Sequence, residues 1–164
     1  MKTRWLPLGA ISLGVLAAGG VAYHAITTPT VIAPGTSVHF DDWFFTARNA
    51  RRVGRIGNLD APPGKAFYIV DVNVRSEAKR VSFTFRPESV RITLDGHQLN
   101  PAEAAQRELP LPSAEIEHGE QATYSLALVG PAKGRELRVK FEAGGIGEWL
   151  DAILGENKEV LFRL

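Results

Sequence analysis

Residues 64–74, Gly64-Lys65-Ala66-Phe67-Tyr68-Ile69-Val70-Asp71-Val72-Asn73-Val74, decide how this chain folds. Tyr68, Val70, Val72 and Val74 alternate with Ile69, Asp71, Asn73 and Arg75. Successive side chains of a strand point to opposite faces, so this period of two describes a strand with one face buried. Ala61-Pro62-Pro63-Gly64 precedes it and supplies the turn that admits the chain to the sheet.

The same period recurs on both sides. Val81, Phe83 and Phe85 form one apolar set, and Val90, Ile92 and Leu94 another. Tyr124, Leu126 and Leu128 follow, then Leu137, Val139 and Phe141, and finally Val160, Phe162 and Leu164. Pro or Gly breakers separate the runs at Arg86-Pro87-Glu88, Glu117-His118-Gly119 and Gly130-Pro131. Asp95-Gly96 reads as a two-residue type I′ hairpin turn, because both central positions need positive φ and these residues tolerate it. Val38–Phe45, with Thr46–Val53 behind it, supplies the first strands, and Trp43 is the expected aromatic anchor of the core. Ile146, Trp149, Leu150, Ile153 and Leu154 recur at helical spacing, which predicts a short amphipathic helix closed by Gly155. Short strands at this spacing predict an all-β antiparallel sandwich over residues 36–164, with that helix near its C-terminal end.

The beginning of the chain is different in kind. Leu6–Ile26 carries no charge, and Lys2 and Arg4 stand just before it. About twenty apolar residues suffice to cross about 30 Å of hydrocarbon as a helix, and cations before the first span stay cytoplasmic. Residues 1–28 therefore read as one N-terminal apolar helix. Its length suits a retained anchor held in the membrane through residues 5–26. Small residues around Ala22 and Ala25 leave open a cleaved signal, which would make the domain secreted or periplasmic. In either case the remainder is extracytoplasmic. Residues 29–35, rich in Pro, Thr and Gly, read as a linker.

Charge supports the division. All 18 Asp and Glu residues lie at Asp41 or later, and removing Lys2 and Arg4 from the 19 Lys and Arg leaves 17, so the remainder carries 17 − 18 = −1. A nearly neutral domain lacks the basic stripe that phosphate neutralisation requires, so no nucleic-acid partner is expected. There is no cysteine. Disulfides, thiolate metal sites and lipid-modified cysteine are thereby excluded.

The run Gly64–Val74, the later Val90-Arg91-Ile92-Thr93-Leu94-Asp95-Gly96, and the Glu-x-Gly-Glu turn at Glu117–Glu120 before the strand at Ala122–Val129 occur in an order that resembles the immunoglobulin-like, telokin-like domains of exported bacterial proteins of unknown function. The resemblance covers about residues 36–164. It implies an immunoglobulin-like sandwich and an extracytoplasmic compartment, and it brings no catalytic residues with it. Many relatives hang from a lipidated cysteine, which this chain lacks, so its tether would be peptide.

Candidate chemistry is sparse. Arg48, Arg51, Arg52 and Arg55 crowd one stretch and could meet an anion such as phosphate, lipid headgroups or wall polymer. The same residues would also serve to charge and protect a strand edge. Asp41, Asp42, Asp60, Asp71, Asn73 and Asp95 offer oxygen ligands at spacings that match no calcium loop, and His39, His97 and His118 lack zinc spacing, so no metal is expected. No Gly-x-Ser-x-Gly, Ser-x-x-Lys or His-Glu-x-x-His motif is present, and Ser113 and Ser125 have ordinary neighbours. Residues 101–117 form the longest stretch without a strand period; their Leu109-Pro110-Leu111-Pro112 piece either covers the end of the sandwich or offers a docking surface. The expectation is a non-catalytic extracytoplasmic binding or interaction module, without cofactor, that is tethered to the membrane and meets an envelope protein or polymer. The alternatives are an exported domain that binds an anion through Arg48–Arg55 and an envelope hydrolase of unrecognised type.

Overall fold

A computed structural model describes residues 28–80, 82–110, 112, 115–142 and 157–164. The apolar segment expected over residues 1–28 lies outside the described residues apart from Thr28, as do Val81 and the helix expected over Ile146–Leu154. Among the described residues no helix is long and apolar enough to cross a membrane.

Two five-stranded sheets face one another. One contains β2 (Ser37–Phe40), β3 (Trp43–Val53), β6 (Lys65–Ser76), β10 (Asn100–Pro101) and β12 (Gln121–Pro131), in the order β10-β12-β6-β3-β2. The other contains β1 (Thr30–Ile32), β8 (Val90–Leu94), β9 (His97–Gln98), β13 (Glu136–Phe141) and β14 (Lys158–Arg163), in the order β1-β14-β13-β8-β9. Two small ribbons pair β4 (Arg55–Ile56) with β5 (Leu59–Asp60) and β7 (Phe83–Thr84) with β11 (Glu115–Ile116).

The strand read first is the centre of its sheet: β6 pairs with β3 on one side and β12 on the other along nearly its whole length. Tyr68, Val70, Val72 and Val74 are fully buried between the sheets and meet Leu137, Val139 and Val160 of the opposite sheet in one cluster. Each such side chain contributes about 1.5–3 kcal/mol relative to exposure. The Asp95-Gly96 turn joins β8 and β9 with positive φ at both residues, +49° and +83°, as a type I′ hairpin requires.

Several local expectations are corrected. Thr30–Ile32, within the expected linker, is a strand that pairs in parallel with β14; Pro29, Pro34 and Gly35 dominated the reading of a segment whose own β-branched residues favour extension. Among its described residues, the run expected at Val81–Phe85 supplies the two-residue strand β7. Trp43 packs at the rim against Phe83, with ring centroids 4.7 Å apart, while the buried anchor is Phe45, which contacts Phe40, Phe83 and Phe141. Trp43 is displaced from the centre because it is the first residue of β3, directly after the Asp41-Asp42 turn.

The outward side of β6 is also not uniform. Phe67 and Ile69 point away from the main core, yet they are buried under a second cluster formed with Ile56, Ala105 and Ala127, against which Leu109 packs. The stretch 101–117 thus covers one end of the outer sheet face through a single-turn helix, Glu103–Gln106. The opposite end of that face, beyond Ile69, carries Asp71, Asn73 and Arg75.

Candidate functional site

The register of β3 decides where the arginines go. Ala47 pairs with Val72 and Asn49 with Asp71, so Arg48 is an extra residue, a β-bulge. The bulge reverses the alternation. Before it Phe45 and Ala47 face the core; after it Ala50 does, and Arg51 takes the outer side opposite Ile69. Arg48 and Arg51 consequently share the outer face of the sheet.

On that face Asp71 gathers three donors. Arg51 Nη1 lies 2.7 Å from Oδ2, Ser125 Oγ donates to Oδ1 at 2.7 Å, and Asn49 Nδ2 reaches Oδ2 at 3.3 Å. Asn73, only 5% exposed, accepts from Arg48 Nη2 at 3.4 Å and donates to Thr123 Oγ1 at 3.2 Å. Further along, Arg75 lies over the Phe44 ring at 4.4 Å, His39 stacks on the same ring with centroids 4.3 Å apart, and Glu77 pairs with Arg75 at 3.0 Å. The result is a cross-strand polar ladder whose members satisfy one another.

Arg52 and Arg55 go elsewhere. Arg52 Nη1 donates to the carbonyls of Ala132 at 2.9 Å and Gly134 at 3.2 Å, which ties β3 to the β12–β13 turn. Arg55 forms a bidentate pair with Asp60 across the β4–β5 ribbon, at 2.7 and 2.9 Å, and this partner holds the Asp60 carboxyl below its ordinary range. Adjacency in sequence therefore brings together two of the four arginines, Arg48 and Arg51, and not the other two.

The oxygen ligands are equally dispersed. Asp41 and Asp42 occupy the β2–β3 turn, Asp60 the β4–β5 ribbon, Asp71 the outer face and Asp95 a hairpin turn. Among the described residues no group of three His, Asp or Glu side chains is placed to hold a metal. Ser125 donates directly to Asp71, and Ser113 lies outside the described residues. His118 Nδ1 lies 3.1 Å from the Glu77 carbonyl, in the turn before β12.

Sequence reasoning missed a groove. Between β8 and β12 the sheets part to leave about 450 Å³ over a floor of Ile92, Leu99, Leu126 and Leu128. Glu88, Glu103 and the pair Arg91–Glu142, 2.7 Å apart, edge it. A second hollow of about 250 Å³ adjoins it, lined by Phe85 and Tyr124, which stack at 4.1 Å, and sharing Pro87, Gln106 and Leu126 with the first. Burial of Tyr124 raises its phenol above the ordinary value. The signal that could have pointed here is the brevity of the Gln98–Pro101 run beside the long run at Gln121–Pro131: a short strand cannot cover a long one.

The sequence matches no protein-family model and no curated protein. In fold the chain is similar to solved bacterial structures. The candidate lipoprotein YcdA of Bacillus subtilis superposes with a TM-score of 0.56 at 12% identity, over 81% of this chain and 39% of that one; the chain thus spans well under half of YcdA's length. An uncharacterised β-sandwich protein of Clostridium difficile gives 0.53 at 10% identity, over 84% and 95% of the two chains. MPT63, a secreted protein of Mycobacterium tuberculosis, gives 0.51 at 14% identity, over 84% and 99%. At these identities the likeness is one of fold.

Proposed function

We propose that this chain is a non-catalytic extracytoplasmic interaction module: an immunoglobulin-like sandwich that begins with β1 at Thr30, held at the membrane by residues 1–28, that recruits an envelope protein. The observation that carries the reading is the groove between β8 and β12, an apolar floor with charged edges. Apolar concavities with a few polar groups are the usual form of a binding site. The fold shared with a secreted mycobacterial protein supports the compartment, and the uncharged run Leu6–Ile26 behind Lys2 and Arg4 supports the tether.

Crosslinking in intact cells, followed by recovery of the full-length chain from membranes, is the test. A specific envelope protein bound to the chain is expected. Recovery of the chain alone at every crosslinker length, or its covalent labelling by a serine-directed probe, would count against an interaction module. N-terminal sequencing of the mature protein separates the anchor from a cleaved signal: a chain that begins near residue 23 or 26 would make the module freely secreted.

A second reading, an anionic ligand held by Arg48 and Arg51, has one observation behind it: both guanidiniums stand on the outer face, and among the described residues Arg48 has only the neutral Asn73 as its hydrogen-bond partner. Replacing both by Ser would then abolish sedimentation with anionic liposomes. Unchanged sedimentation would remove that reading.

A further inference from the structure

The two ends of the sandwich differ in charge. At one end the turn at residues 132–135 joins β12 to β13 and is tied to three other strands. Pro131 stands opposite Lys65 at the start of β6, Arg52 of β3 donates to the Ala132 and Gly134 carbonyls, and the Leu164 N–H, directly after β14, bonds the Arg135 carbonyl. Lys65, Lys133, Arg135 and Arg163 therefore gather there, and all four are exposed. Among the described residues none of the four takes part in an ion pair. The carboxylates of the adjoining strand ends are engaged: Asp95 accepts from the backbone N–H groups of Arg135 and Glu136, and Glu136 pairs with Arg138 at 3.6 Å. The near-neutral sum over the domain hides this cluster because carboxylates collect elsewhere.

The other end has the opposite sign. Its turns at residues 41–42, 77–80 and 117–120 hold five carboxylates and two cations. It is also the end at which β1 starts, since Thr30 stands opposite Lys158, the first residue of β14, while Arg163 closes that strand. The longest segments outside the described residues, 1–27 and 143–156, join at Thr28, Glu142 and Asn157, which all belong to this acidic end; none joins at residues 132–135. β6 runs between the ends in 12 residues, about 40 Å at the usual rise of a strand. A tether that leaves through Thr28 holds the acidic end near the bilayer, and the basic end can stand up to about 40 Å beyond it.

We propose that the basic end, through Lys65, Lys133, Arg135 and Arg163, binds a flexible anionic polymer that carries repeated phosphate or carboxylate groups. Exposed, unpaired cations spread over two strand ends and a turn suit a chain of spaced charges, which adapts to their positions. A folded protein would need an apolar centre to anchor on, and residues 131–135, Pro-Ala-Lys-Gly-Arg, offer no aromatic or large aliphatic side chain. Long-range attraction and the release of counterions supply the affinity, so binding weakens as salt rises. The inference goes beyond the interaction-module reading and takes from it only the compartment and the tether.

The test uses the full-length chain in nanodiscs of neutral lipid and two probes, a short polyphosphate and a short polygalacturonate, with an acidic peptide that alternates Glu with Leu as the comparison. At least one polymer is expected to bind more tightly than the peptide, and the tighter of the two names phosphate or carboxylate as the group recognised. The charge reversal K65E/K133E, at two exposed sites, is expected to weaken that binding at least about tenfold, and K65R/K133R to retain it. R48S/R51S, on the outer face, is expected to leave it unchanged. Failure of both polymers to bind, tighter binding of the peptide, equal binding by the wild type and K65E/K133E, or a matching loss in R48S/R51S would overturn the proposal. The module reading fails separately: crosslinking in cells that recovers no envelope protein overturns the module, whereas the polymer measurement is made on the isolated chain and decides the basic end alone.

Discussion

Arg51 and Asp71 are joined at 2.7 Å across the β3–β6 pair, although in register Arg51 stands opposite Ile69 and Asp71 opposite Asn49. The contact is diagonal, and the bulge at Arg48 makes it possible by turning Arg51 to the outer face. Asp71 is the less exposed partner, at 18% against 43%. It also accepts from Ser125 Oγ and Asn49 Nδ2, so it ties β3, β6 and β12 together.

The two ends of this pair should therefore differ in weight. Asp71→Ala removes the acceptor for three donors and is expected to cost about 1–3 kcal/mol. Arg51→Ala removes one partly exposed cation and is expected to cost about 0–1 kcal/mol. Urea melts of the two variants check this, and equal midpoints would show that Asp71 is not the centre of the network.

Asp95 gives a pH dependence with a defined sign. Its carboxylate accepts from the backbone N–H of Glu136 at 2.9 Å and from that of Arg135, and these bonds hold its pKa below the ordinary value. A carboxyl whose folded pKa is depressed adds stability that is present above the unfolded value of about 3.9 and is lost as pH falls through the folded value. Asp95→Asn keeps the turn geometry and removes the titration. Its thermal midpoint is expected to fall less steeply with acidification than that of the wild type, in which Asp60 contributes in the same direction. Parallel midpoint curves would discard the assignment.

Gly134 is held close to the core. A Cβ there would lie 2.3–2.6 Å from the Leu94 side chain, itself buried between the sheets. Gly134→Ala is expected to cost about 1–3 kcal/mol by overpacking. Combined with Leu94→Ala it should cost less than the two single changes summed, because the smaller side chain makes room. Strict additivity in a double-mutant cycle would show that the contact is not the cause.

Ser76 is wholly buried at the end of β6, and its Oγ has no hydrogen-bond partner among the described residues, although its backbone N–H and carbonyl bond Glu120 and Gly119. A buried hydroxyl without a partner costs about 1–3 kcal/mol. Ser76→Ala is expected to leave stability unchanged or raise it by up to about 1 kcal/mol. A clear loss in a chemical melt would mean that the hydroxyl is engaged.

What the sequence determined by itself was the strands with a sustained period of two and the hairpin turn at Asp95-Gly96. The alternation Tyr68–Val74 fixed a strand with a buried face, and the recurrences at Val90–Leu94, Tyr124–Leu128, Leu137–Phe141 and Val160–Leu164 fixed the composition of the two inner faces. Asp95-Gly96 fixed a turn because only residues that accept positive φ can occupy it. These readings succeed because side-chain direction along a strand depends on a residue's immediate neighbours. The tertiary structure decided what lies over each face and which charges meet. One bulged residue at Arg48 reversed the parity of β3 and put Arg51, in place of Arg52, on the face of Arg48, and the helix at Glu103–Gln106 buried Phe67 and Ile69, which alternation alone placed outward. The groove, and the bonds of Gln106 to Ser125 and Ala127 beside it, depend on how short β9 and β10 are beside β8 and β12. Such features depend on contacts between residues distant along the chain, and a local period carries no information about them.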